Sequence, residues 1–133
     1  MKRSFLFLLA FFAVATALAQ TTVPVSAVLT WTAVTTGTSG GTTVPISGVT
    51  YNVYTETQPA SGTCTASAMT SVATGVTATT DTLSLNLAPG STECFGVTAT
   101  AGGVTGAMSN IVTVAVPAVT PGTTTVTVTV TIT

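Results

Sequence analysis

Charge is the scarcest resource of this chain. Only 4% of its 133 residues are charged, against about 25% in an ordinary soluble domain. Histidine is absent, Lys2 and Arg3 are the only basic residues, and Glu56, Asp81 and Glu93 are the only acids. Each shortage closes a class of function. Nucleic-acid binding needs Lys and Arg to neutralise phosphates, and an anionic membrane surface makes the same demand. Nucleophilic catalysis needs a base beside the nucleophile, and beyond residue 3 there is neither His nor Lys. The three acids are far apart in sequence and sit in no calcium-loop pattern, and no nucleophile elbow or phosphate loop occurs. No catalytic residue, cofactor or metal site is therefore expected.

Helical periodicity is also lacking, whereas apolar residues, at 46%, are ample for a core. Thr is the commonest residue, followed by Val, Ala and Gly. Thr and Val are β-branched and suit a pleated surface. An all-β chain is expected, with Thr providing the solvation that Lys and Glu usually provide.

The first nineteen residues have the pattern of an address. Lys2 and Arg3 precede an apolar run from Phe5 to Ala15, and Ala17-Leu18-Ala19 supplies a small-x-small cleavage site ahead of Gln20. This is the three-part secretory signal, of bacterial type. A membrane anchor would need about 20 apolar residues and a polar stop, and no Cys follows the cleavage site for lipid attachment. The expected mature chain starts at Gln20 and is secreted, periplasmic or displayed at the cell surface, with no membrane insertion after cleavage.

Residues 20–117 read as short alternating strands divided by Gly and Pro. Ala27, Leu29, Trp31 and Ala33 share one face by period two, as do Val49, Tyr51 and Val53, and then Phe95, Val97 and Ala99. Weaker strands are expected near 69–73, over 82–87 and over 111–116. Thr35 to Thr43, rich in Thr, Gly and Ser, reads as a loop. Pro59 to Thr63 reads as a turn and Pro89-Gly90 as a corner. Trp31 belongs to the core by its alternation, while Tyr54 points the opposite way from Tyr51 and is the better-placed aromatic for surface contact.

Five short motifs in order carry a resemblance: LTWT at 29–32, YNVY at 51–54, LAPGS at 87–91, FGVTA at 95–99 and SN at 109–110. Together they resemble a fibronectin type III domain of the kind found in secreted proteins. The resemblance implies an immunoglobulin-like β-sandwich of about seven antiparallel strands in two sheets. One position departs from it. The family's corner Tyr, three residues after Pro-Gly, is Glu93 here, so the usual corner hydrogen bond is lost and Glu93 is expected to face solvent.

Cys64 and Cys94 are the only cysteines, and in an exported chain two cysteines read as one disulfide. In the implied fold the strand of Tyr51 neighbours the strand of Cys94, so a bridge across the sheet surface is expected. It would close a loop of about 30 residues, worth on the order of 3 kcal/mol. Without His or a CxxC spacing, a metal or redox role has little support.

Residues 118–133 are surplus to the resemblance. After Pro121-Gly122 the chain runs TTTVTVTVTIT, with Val126, Val128, Val130 and Ile132 on one face and Thr on the other. Such a strand invites pairing. It can return to its own sandwich, the expected outcome after a short connection, or add to a second copy. Two function classes follow. The first is a non-catalytic binding or adhesion module for a protein or surface glycan, using loops at one end of the sandwich. The second is a structural subunit that self-associates through its C-terminal strand.

Overall fold

A computed structural model of the chain describes residues 22–59, 61–118 and 126–133. The leader expected over 1–19 and the Pro121-Gly122 turn lie outside the described residues. Within them the chain contains strands and no helix. The strands are β1 (Val23–Trp31), β2 (Thr36–Ser39), β3 (Thr42–Pro45), β4 (Thr50–Gln58), β5 (Thr70–Val76), β6 (Thr80–Leu87), β7 (Thr92–Ala101), β8 (Val104–Thr105), β9 (Val112–Ala115) and β10 (Val126–Ile132).

Two sheets face each other. The first has the order β10-β1-β6; the second has β5-β4-β7 at its centre, with β8 and β9 both pairing along β7. Their inner faces follow from period two. Ala27, Leu29 and Trp31 of β1 meet Tyr51 and Val53 of β4 and Phe95 and Val97 of β7, with Val130 and Ile132 of β10 in the same buried cluster. The Trp31 and Tyr51 rings lie 5.4 Å apart in a tilted arrangement that joins the sheets. A second cluster of Val23, Val25, Leu87 and Val116 closes the other end of the core.

The outer face of the first sheet shows how a chain with few charges meets water. Thr127, Ser26 and Ser84 stand in one row, Thr129, Val28 and Thr82 in the next, and Thr131, Thr30 and Thr80 in the third. In these three rows every position but Val28 carries a hydroxyl, and Pro24 and Asn86 continue the face. On the outer face of the second sheet the β7 positions Cys94, Gly96 and Thr98 are buried instead. At Gly96 a Cβ would stand 2.8 Å from Met108 Sδ, so the glycine leaves room for the Met108 side chain against β7.

Several expectations change in the structure. The expected loop over 35–43 is largely a hairpin of β2 and β3, paired from Thr36↔Pro45 to Ser39↔Thr42. Its turn is Gly40-Gly41 with φ of 57° and 80°, and a primed turn with two left-handed residues suits glycine. Ala33 is exposed, because β1 ends at Trp31 and the alternation does not continue past it. Glu93 is buried at 2% exposure, the reverse of the solvent-facing position expected for it.

The corner at Pro89-Gly90 holds without a tyrosine. The backbone N–H and the hydroxyl of Ser91 both donate to the carbonyl of Ala88, while Gly90 N–H donates to Val116 and Val116 N–H to Ser91. The C-terminal strand is no appendage. β10 runs parallel to β1 in register from Val25↔Val126 to Trp31↔Ile132, so the ladder is not uniformly antiparallel.

Candidate functional site

Cys64 and Cys94 form a disulfide. Cys94 lies on β7 facing away from the core, opposite Glu56 of β4, and is fully buried beneath the loop that carries Cys64. Glu56 organises that loop. One of its carboxylate oxygens accepts from Thr65 N–H at 3.2 Å and the other from the side-chain amide of Gln58. Tyr54, on the same outer face, is half-buried rather than free.

The four residues expected to form a pairing surface act together, inside this chain. Val130 and Ile132 are 2% and 1% exposed. Val128 packs against both clusters and Val126 against the second. Their apolar face is covered by the sandwich itself.

The three acids do not converge. Glu93 lies at the closed end of the core, where Thr57 Oγ1 donates to its Oε2 at 2.6 Å. Burial pushes the Glu93 carboxyl above the usual glutamate range; the hydroxyls of Thr57 and Thr55 oppose this, and the neighbouring Glu56 adds to it. A cavity of about 10 Å³ beside it, walled by Val25, Leu87, Val116, Val126 and Val128, is at the lower limit for one water. Asp81 sits on β6 opposite Leu29, with its Oδ1 accepting from Thr82 N–H. No group of three or more His, Cys, Asp or Glu is placed to hold a metal among the described residues.

The opposite end of the sandwich is open. One cleft of about 410 Å³ lies between the β2–β3 hairpin and the β7–β8 turn, walled by Val34, Val44, Ile46, Ala99, Ala101 and Val104. A second, of about 240 Å³, reaches the core at Trp31, Tyr51 and Ile132. Val34 and Ala99 belong to both walls. Two local devices build this end. Val34 N–H donates to the Tyr51 hydroxyl at 3.0 Å, which sets the path of the chain into the hairpin. Gly102-Gly103, with φ of 55° and 79°, turns β7 tightly into β8 and presents Val104 beside the cleft.

Sequence reading singled out Trp31 only as core, and Trp31 is 8% exposed. It did not find the cleft, whose walls come from segments about 60 residues apart. The one available signal was the pair of glycine dipeptides, each of which marks a tight turn at this end. Among the described residues no helix is long and apolar enough to cross a membrane. Comparison with protein-family models, with curated proteins and with solved structures finds no match to this chain.

Proposed function

We propose that the chain is a non-catalytic, extracytoplasmic binding module of the fibronectin type III kind, recognising a protein or a surface glycan through the open end of its sandwich. The observation that carries this reading is the cleft between the β2–β3 hairpin and the β7–β8 turn. Two loops from different parts of the chain meet there on a rigid scaffold, the usual placing of recognition surfaces on β-sandwiches. The strand pattern supports the family. β1 pairs with β6 and β4 pairs with β7, which in turn pairs with β9, as strands B with E and C with F and G pair in such domains. The disulfide fits an oxidising compartment, in keeping with the leader-like residues 1–19. A non-catalytic role is supported by a sequence without His and without Lys beyond residue 3.

The test replaces residues 36–45 with a short Gly-Ser turn in the exported protein and screens both forms on protein and glycan arrays. The parent is expected to keep a partner that the variant loses by about tenfold or more, with the disulfide and thermal midpoint retained. Equal binding by both forms, or measurable turnover by the purified protein, would reject the reading.

A second reading has an observation of its own. β10 is held by one neighbour, β1, in a parallel ladder. A strand supplied by another copy could occupy the same place, which would make the chain a self-assembling structural subunit.

A further inference from the structure

We propose that the two-lobed cleft at the open end binds an uncharged, largely aliphatic small molecule. The inference rests on reading that end as the recognition surface and names its ligand class. Three large hydrophobic side chains are exposed among the described residues: Val34 at 39%, Val72 at 44% and Val104 at 73%. Two of them, Val34 and Val104, line the cleft. Exposed apolar side chains that gather at one concavity mark a binding site more than scattered ones do. The larger lobe, about 410 Å³, falls on the scale of small-molecule pockets, roughly 300–1,000 Å³; the smaller, about 240 Å³, adjoins it at Val34 and Ala99.

Chemistry selects against charge. Neither lobe is lined by a carboxylate, amine or guanidinium side chain. In the larger lobe an ionised ligand would lose its hydration without gaining a counter-charge. Two polar side chains on the wall of the smaller lobe are already engaged. The Tyr51 hydroxyl accepts from Val34 N–H. The Ser109 hydroxyl accepts from Val97 N–H and donates to the carbonyl of Asn110. The Trp31 Nε1–H is sealed from solvent and has no acceptor among the described residues, so it offers the lobe no polar contact. An aliphatic ligand would instead cover Val34, Ile46 and Val104.

A matched series of 1-octanol, octanoate and octylammonium tests the proposal, with the emission of Trp31, the single tryptophan, as the reporter. The exposed position of Val104 makes Val104→Asp a variant that should fold, and Val72→Asp is the control on β5. The parent is expected to show a saturable emission shift with 1-octanol and on the order of tenfold weaker binding of both ions. Val104→Asp is expected to weaken octanol binding by a similar factor, and Val72→Asp to leave it unchanged. Absence of a saturable octanol response, equal binding of the ions, or equal loss in the Val72→Asp protein would each overturn the proposal. If octanol fails to bind while replacement of residues 36–45 still abolishes binding of an array partner, the ligand class falls and the recognition end stands.

Discussion

The two sheets of this sandwich are held together by different means. In the second sheet β4 pairs with β5, the next strand in sequence, and with β7, and a disulfide with a sequence separation of 30 fastens β7 to the loop after β4. The first sheet has no covalent tie. Neither neighbour of its central strand is adjacent in sequence: β6 comes from the middle of the chain and β10 from its far end, and the Thr30 hydroxyl donates to the carbonyl of Val130, 100 residues away. Long-range pairing carries a larger loop-closure cost than local pairing, and burial must offset it. β10 supplies that burial through Val130 and Ile132. The contrast teaches that the Val/Ile tail serves as a structural member of the sheet that lacks a disulfide.

Trp31 gives the largest expected effect. It stands opposite Ile132 in the first sheet and against Tyr51 of the second. Trp31→Ala should cost about 3–5 kcal/mol, the usual penalty for truncating a buried aromatic. Denaturant unfolding followed by circular dichroism measures it. A loss under about 1 kcal/mol would mean the sheets do not depend on this joint.

Removing the covalent tie comes next. Replacing both Cys64 and Cys94 with Ala should cost about 3 kcal/mol by loop entropy, with the same midpoint measurement as readout. An unchanged midpoint would show that the second sheet needs no more bracing than the first, and the contrast between them would fail.

Glu93 is expected to give a smaller effect, with opposite sign. Burial raises its carboxyl pKa above the ordinary value of 4.5, so the folded state holds the proton more tightly than the unfolded state. The stability this contributes is fully present below the unfolded value and is lost as pH rises through the raised folded value. Thermal midpoints should therefore decline from mildly acidic toward neutral pH. Glu93→Gln should flatten that decline and raise the midpoint at neutral pH. A midpoint that rises with pH in the parent, or an unaltered profile in the variant, would contradict the buried placement.

Much of the inner face was legible in the alternation itself. Leu29 with Trp31, Tyr51 with Val53, and Phe95 with Val97 point inward as period two requires. The same rule carried to Glu93, two residues before Phe95, would have placed it inside. Its charge argued for the surface, and the sequence does not reveal that Thr57 stands opposite it across the β4–β7 ladder. The β2–β3 hairpin was missed because its strands are nearly all Thr, Ser and Gly, with no apolar face to register, although Gly40-Gly41 marked the turn. The direction of β10 depends on how the chain crosses between sheets, which no local pattern encodes. The cleft likewise exists only once residues 34–46 and 99–106 meet.

The central claim is that the sandwich is completed by its own C-terminal strand, which separates a self-contained binding module from a self-assembling subunit. Val28 and Thr129 are direct partners on the outer face of the β1–β10 ladder, at the spacing of about 4.8 Å between neighbouring strands, within disulfide reach. The direct measurement introduces Val28→Cys with Thr129→Cys, oxidises the dilute protein, and reads intact mass and peptide linkage without reductant. Completion by the chain's own strand gives a monomer with the 28–129 link beside the native 64–94 bridge. Links that form only between chains, in a species that elutes as an oligomer, would contradict it.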